Sequence, residues 1–231
     1  MNTAIILAGG SGERFGSGTM PKQLVALGGK PLFVHCLETY RGMSEIDRIC
    51  LVVNPRHSED FVGVLRQRGW QDGIVVAQGG STRQASIASA LDALPPEEGG
   101  VIIHNAASPF TSAGLIRKCL SALATHQAVQ AYVPAEQTIF EKEGDVLKTL
   151  LPRQSLGMTC DPTVYDMALL RRAMEHQQRR HGNVGETTLS IVQELGVTVT
   201  LVPSDRDNIK LTTTNDLRLA EAIEAGRTGG R

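Results

Sequence analysis

Neither sign of charge predominates in this sequence: 23 Lys and Arg stand against 24 Asp and Glu in 231 residues, a formal net charge of −1. The basic footprint of a nucleic-acid binder is missing, so any anionic ligand must be held by local charge. No apolar run approaches the roughly 20 residues that a membrane span needs. The opening MNTAIILAGG has no basic region ahead of its apolar run, and that run is too short for a signal peptide. There are only four cysteines, Cys36, Cys50, Cys119 and Cys160. None forms a C-x-x-C pair or a zinc-type Cys/His cluster. These absences predict a cytoplasmic protein with four reduced thiols, no membrane association and no nucleic-acid partner. No internal repeat or low-complexity tract is visible.

What is there is an alternation of short β-like runs with helical ones, in a chain long enough to bury a sizeable core as a single domain over 1–231. Strands are predicted at 3–8, 46–54, 73–78, 99–105 and 128–135. Helices are predicted from Pro31, taken as the first helical residue, at 56–68, from a Ser81 or Thr82 cap to about Leu94, and at 112–124. This rhythm predicts an α/β fold, a Rossmann-like, mostly parallel sheet flanked by helices. It breaks at Glu136. Residues 137–150 read as two short strands around the turn signal Glu143-Gly144-Asp145, a β-arm over 136–152 projecting from the sheet to meet a partner subunit or to stand as a plain surface hairpin. Helices at 166–181 and 186–195, a strand at 197–202 and a last helix at 214–225, capped by Thr214 or Asn215, complete the pattern. The tail GRTGGR is expected to fray.

The first strand runs into IILAGGSGERFGSGTMPKQ, residues 5–23. A glycine-rich turn after a strand lets backbone N–H groups face phosphates. It is not a dinucleotide fingerprint, because Phe15 stands where the third glycine of G-x-G-x-x-G belongs and Gly16, Gly18 and Pro21 break any helix there. It is not a Walker loop either, because Gln23 follows Lys22 where Ser or Thr is required. A longer loop with two cations, Arg14 and Lys22, remains. Arg offers forked phosphate contacts and Lys a point charge. On composition alone, a mobile Gly/Ser loop with two solvated bases fits as well.

Five ordered motifs carry a resemblance across nearly the whole chain. The loop LAGGSGERFGSGTMPKQ, GGSTRQAS (79–86), IIHNAASPF (102–110), VPAEQT (133–138) and DNIKLTTTNDLRLAEAI (207–223) resemble the cytidylyltransferase family of methylerythritol-phosphate and ribitol-5-phosphate cytidylyltransferases. The spacing from Arg14 to Lys22 is more like the ribitol branch. The resemblance implies CMP transfer from CTP to a small phosphorylated acceptor, with pyrophosphate released and Mg2+ carried on the triphosphate. It implies catalytic roles for Arg14, Lys22 and Lys210 as charge stabilisers. It implies nucleotide contacts from Ala8, Gly9, Gly10, Ser11, Gly12, Gly80, Ser81, Arg83, Ser86 and Asn105. Acceptor contacts fall to Ser108, Thr138, Arg153, Asp161, Asp207 and Lys210, with Asp207 also a metal ligand. Thr138 and Arg153 match positions that reach across a homodimer formed through the arm.

The chain also departs from the family pattern. The family's H-D-A-x-R-P has Asn105 and Ser108 in place of its Asp and Arg. Its T-P-Q appears as Asp161-Pro162-Thr163, and its acidic T-D-[DE]-[AS] as Gly185-Glu186-Thr187-Thr188. Departures gathered on the acceptor side imply a polyol phosphate or phosphonate acceptor that is neither methylerythritol phosphate nor ribitol phosphate. Methylerythritol phosphate itself, another NTP, or a weakly active nucleotide-binding assembly module that lost its carboxylate at 105 are the alternatives.

Overall fold

A computed structural model describes residues 1–10, 20–96, 98–179 and 187–229. The predicted alternation becomes β1 (Asn2–Ala8), a small hairpin of β2 (Ala26–Leu27) and β3 (Lys30–Pro31), α1 (Leu32–Arg41), β4 (Arg48–Val53), α2 (Ser58–Gln67), β5 (Val75–Gln78), α3 (Arg83–Asp92), β6 (Gly100–Asn105), α4 (Ala113–Leu123) and β7 (Ala128–Pro134). Then follow β8 (Phe140–Glu143), β9 (Val146–Leu150), β10 (Gly157–Asp166), α5 (Met167–Arg179), α6 (Thr188–Glu194), β11 (Thr200–Pro203) and α7 (Thr214–Gly229).

The central sheet has the order β11-β7-β10-β6-β1-β4-β5. All its pairings are parallel except those of β10, which runs antiparallel to β6 and β7. From β1 the chain moves one way to β4 and β5, then returns to β6 on the other side of β1. Such a reversal opens a crevice at the carboxyl ends of the strands, where open α/β sheets bind their ligands.

Period-two alternation explains how the sheet buries both faces. In β1, Ala4, Ile6 and Ala8 enter a core under α1, α2 and α4, while Ile5 and Leu7 enter the opposite core under α3, α5 and α6. A satellite cluster of Leu27, Leu32, Phe110, Leu211 and Ala220 fastens α7 and the β2–β3 hairpin beside the crevice. The arm stands apart as its own two-stranded sheet, β8 against β9, with Gly144 at φ 58° in its turn. That positive φ is why the turn takes glycine.

Several boundaries differ from the sequence reading. Pro31 is a ladder residue paired with Ala26, and α1 starts one residue later. The tail does not fray at Gly226, since α7 continues to Gly229. No local pattern marks β10, Gly157–Asp166. Pro162 interrupts its pattern, and its ladder with β7 is irregular between Thr159 and Thr163, so neither propensity nor periodicity marks it as a strand.

The cap of α7 is also one residue earlier than expected. The Asp216 carboxylate accepts from the backbone N–H groups of Thr212 and Thr213, both at 2.7 Å, and from Thr212 Oγ1 at 2.8 Å, while Asp216 N–H faces Thr213 Oγ1 at 3.4 Å. This is a reciprocal box with Thr213 as the cap. Burial pushes the Asp216 pKa up, but the hydrogen bonds from Thr212 and Thr213 outweigh it and hold the group below its ordinary value. Replacing Asp216 with Ala is expected to cost about 1 kcal/mol in urea titration, the usual worth of a cap. Ala at Thr214 or Asn215 should stay within about 0.5 kcal/mol.

Candidate active site

Two glycine segments meet at the carboxyl ends of β1 and β5. Gly9 and Gly79 pack backbone against backbone, and a Cβ on Gly9 would lie 3.5 Å from Gly79 Cα. Gly79 N–H donates to the Val53 carbonyl at 2.7 Å, carrying the β4 ladder one residue past β5. Beyond it, Ser86 closes the 79–86 loop: its Oγ accepts from Gly80 N–H at 3.0 Å and donates to the Thr82 carbonyl at 2.9 Å. Gly80 is compelled by space, since a Cβ there would stand 2.5 Å from Ala85 Cβ. Thr82, not Ser81, caps α3. Ala8 is fully buried, whereas Gly10, Gly80, Ser81 and Arg83 are exposed on the rim. Ser86 is thus committed to loop closure through both its hydroxyl bonds.

The basic residues come from opposite ends of the chain. Lys22 Nζ donates to the carbonyl of Leu211 at 2.8 Å, and Leu211 N–H donates to the Ala107 carbonyl at 2.8 Å. Lys22 therefore sits against the residue next to Lys210, over the turn that follows β6. Lys210 and Arg83 line a cavity of about 860 Å³ floored by β6, β10 and β7 and walled by the base of the arm.

At the floor of that cavity lies a buried carboxylate. Asp161 Oδ1 accepts from Asn105 N–H at 3.1 Å and from Asn105 Nδ2 at 2.8 Å. Its Oδ2 accepts from the same Nδ2 at 2.9 Å and from Ser108 Oγ at 2.5 Å. The Asp161 carbonyl accepts from Asn208 Nδ2 at 2.5 Å, and Asn208 Oδ1 accepts from Thr111 Oγ1 at 2.7 Å. On the outer side, Arg83 Nη1 donates to Asn105 Oδ1 at 2.6 Å. Three segments far apart in sequence are joined through one side chain.

Beneath them, His104 is buried with both ring nitrogens engaged. Nδ1 lies 2.7 Å from the Tyr40 hydroxyl and Nε2 lies 2.9 Å from the Ser108 carbonyl. A carbonyl only accepts, so Nε2 carries the proton and Tyr40 donates to Nδ1. Burial lowers the His104 pKa, with the Asp161 charge and the Ser108 carbonyl opposing it in part. Burial also leaves these thiols poor nucleophiles: it raises Cys36, beside His104, well above its ordinary value and pushes Cys50 and Cys119 up to about 12.

Other expected site residues are less central. Thr138 and Arg153 are exposed at the base of the arm, where Arg153 donates to the Glu136 carbonyl at 3.0 Å, and neither lines the cavity. Asp207 is exposed on the turn before Asn208 and is likewise outside the cavity lining. Ser11, Gly12 and Arg14 lie outside the described residues, as do Gly185 and Glu186.

The family model for 2-C-methyl-D-erythritol 4-phosphate cytidylyltransferase (IspD) matches residues 2–225. The chain belongs to the 2-C-methyl-D-erythritol 4-phosphate cytidylyltransferase family. It is 35% identical over 224 residues to the enzyme of that name from Geobacillus kaustophilus, covering 97% of each chain. The Thermus thermophilus structure of that name superposes with a TM-score of 0.77 at 28% identity, over 95% of this chain and 97% of the other. A 4-diphosphocytidyl-2C-methyl-D-erythritol synthase structure from Anaerococcus prevotii reaches a TM-score of 0.85 at 24% identity, over 96% and 95%, which establishes the shared fold.

Membership in this cytidylyltransferase family favours the methylerythritol phosphate alternative over the altered acceptor read from the sequence. The geometry links the residues on which the altered-acceptor reading rests. Asn105, Ser108 and Asp161, three positions that the sequence reads as altered, are hydrogen-bonded to one another. They form one mutually satisfied group instead of three separate losses. Asn208 was not singled out from the sequence, although it lies inside the DNIK motif that carried the resemblance. Tyr40 and Cys36, buried beside His104, carried no sequence signal beyond an apolar helix face.

The His104 environment has a pH consequence. Its ring stays neutral in the fold while the unfolded chain takes up a proton near pH 6.5, so stability is full above that value and falls on acidification. The urea midpoint of the wild type should drop more steeply from pH 7 to pH 5.5 than that of His104→Gln. Equal slopes would remove His104 as the cause.

Proposed function

We propose that this chain transfers CMP from CTP to 2-C-methyl-D-erythritol 4-phosphate. A phosphate oxygen of the acceptor attacks the α-phosphorus in line; that P–O bond forms as the bond to the β-phosphate oxygen breaks, and pyrophosphate leaves. The acceptor monoester is already an oxyanion near neutral pH, so neither a protein nucleophile nor a general base is needed. Catalysis then rests on alignment and charge neutralisation. The observation that carries this reading is the convergence of Lys22 with the segment that bears Lys210, across 189 residues of sequence, at the edge of the cavity and beside the paired glycine loops. Preorganised cations of this kind act on charge that develops on the triphosphate.

Magnesium remains part of the expectation, but the described residues do not fit a protein-held ion. They contain no cluster of three or more His, Cys, Asp or Glu side chains placed to bind a metal. Asp161 has its oxygens occupied by protein donors, and Asp207 stands outside the cavity lining.

The reading also places the protein in the cytoplasm, in keeping with its four free cysteines, and among the described residues no helix is long and apolar enough to cross a membrane. It makes the arm a dimer contact. Phe140, Val146, Leu147 and Leu150 are 48%, 70%, 52% and 60% exposed on the β8–β9 hairpin. An isolated two-stranded sheet is marginal in water, and an apolar one calls for a cover. A second copy would also place Thr138 and Arg153 near its partner's acceptor.

Two measurements test this. Pyrophosphate release should require CTP and methylerythritol phosphate together. Lys22→Ala or Lys210→Ala should each lower kcat/KM by about 100-fold. Equal turnover with ribitol 5-phosphate, or with another NTP, would defeat the acceptor or nucleotide assignment. In sedimentation, the wild type should run as a dimer and Leu147→Asp as a monomer; a monomeric wild type would end the arm's assigned role.

A further inference from the structure

The carboxylate of Asp161 faces the cavity floor yet has no room for a ligand. A carboxylate offers about four acceptor positions, and here Asn105 N–H, Asn105 Nδ2 (to both oxygens) and Ser108 Oγ occupy them. Asp161 is 6% exposed. A charged group held this way acts on its neighbours, and its main neighbour is the Asn105 amide.

An asparagine amide has a donor end and an acceptor end, and the two have nearly the same shape. An Asn105 held only by packing would be free to turn over and present its Nδ2 to Arg83, donor against donor. With the Asp161 carboxylate gripping Nδ2, the amide has one orientation, and Oδ1 points at Arg83 Nη1, 2.6 Å away. The line runs carboxylate, amide N–H, amide carbonyl, guanidinium, with opposite polarity meeting at each contact. Arg83 is the outer end of the line and reaches the cavity wall from the start of α3.

We infer that Asp161 is a positioning residue: acting through Asn105, it fixes the Arg83 guanidinium toward the phosphate chain of the bound nucleoside triphosphate, without touching substrate itself. This rests on the nucleotidyl transfer proposed above. It differs from the acceptor contact expected for Asp161 from the sequence, because the occupied oxygens leave that contact no acceptor site. It also separates the Asp161–Asn105–Arg83 line from the neighbouring Asp161–Asn208 contact, which uses a backbone carbonyl and would survive loss of the carboxylate.

The test uses the full chain and five variants: Asp161→Asn, Asn105→Asp, the double variant Asn105→Asp with Asp161→Asn, Arg83→Gln, and Arg83→Gln with Asp161→Asn. Asp161→Asn should raise the KM for CTP about tenfold with a smaller change in kcat, the size of one charge-assisted contact. Asn105→Asp should lose as much, because two carboxylates then share one buried site. The Asn105→Asp, Asp161→Asn double variant returns a single carboxylate to the line, now directly facing Arg83, and should recover to within about threefold of wild type. In the Arg83→Gln background, Asp161→Asn should add less than about twofold.

A purely structural clamp gives a different result: a lowered melting temperature, an additive effect with Arg83→Gln, and no rescue by moving the carboxylate. Any of an unchanged KM in Asp161→Asn, additivity, or failed rescue in a well-folded double variant overturns the inference. A wild type inactive with CTP and methylerythritol phosphate defeats the proposed reaction instead. CTP affinity by calorimetry on the same proteins then decides the positioning role, with the same fold-changes expected. A wild type that binds no CTP overturns both.

Discussion

A carboxylate taken out of water must be surrounded by donors or it will not stay charged and buried. Meeting that requirement for Asp161 draws together the end of β6, the turn at Ser108 and the middle of β10, and Asn208 joins through the adjacent carbonyl. Basic residues at and near the cavity are held close to this point. Leu211 hangs from Ala107, Lys22 hangs from Leu211, and Arg83 leans on Asn105. Such a network is costly if one member fails, because each remaining group keeps its desolvation penalty without its bond. The insertion of an antiparallel β10 into an otherwise parallel sheet is what brings Asp161 beside Asn105.

The sheet was legible in the sequence wherever local pattern is strong. The run TAIILA distributes alternate residues between two cores, and no helix can hide in so short an apolar run followed by glycines. The arm announced itself through its glycine turn. The strand β10 did not, because a proline within it removes a ladder donor and the pairing skips at Thr159–Thr163. Its identity as a strand comes from the neighbours β6 and β7, which is tertiary information.

The candidate site divides along the same line. Motifs that are local, such as the glycine segments at 9–10 and 79–80, could be recognised individually, and the reason they contain glycine became visible only when Gly9 and Gly79 were found against each other. Contacts between motifs could not be read from spacing. Asn105, Ser108 and Asp161 looked like independent departures in a linear alignment of patterns. In space they satisfy one another, with the Asp161 carboxylate accepting from both Asn105 and Ser108. Sequence reasoning that scores positions one at a time does not see that these three side chains share hydrogen bonds.

The attachment of Lys22 to Leu211 has a consequence for how the molecule is made. Domains emerge from the ribosome amino end first, and all seven strands of the central sheet precede α7 in the chain. Yet Lys22 cannot make its bond to the Leu211 carbonyl until the segment ahead of α7 has arrived and docked on the Phe110–Ala220 cluster. A nascent chain short of Leu211 therefore holds every strand of the sheet and both glycine segments but lacks the Lys22–Leu211 bond. The Lys22–Leu211 bond thus ties the glycine-loop end of the chain to the packing of α7, two regions that are made far apart in time.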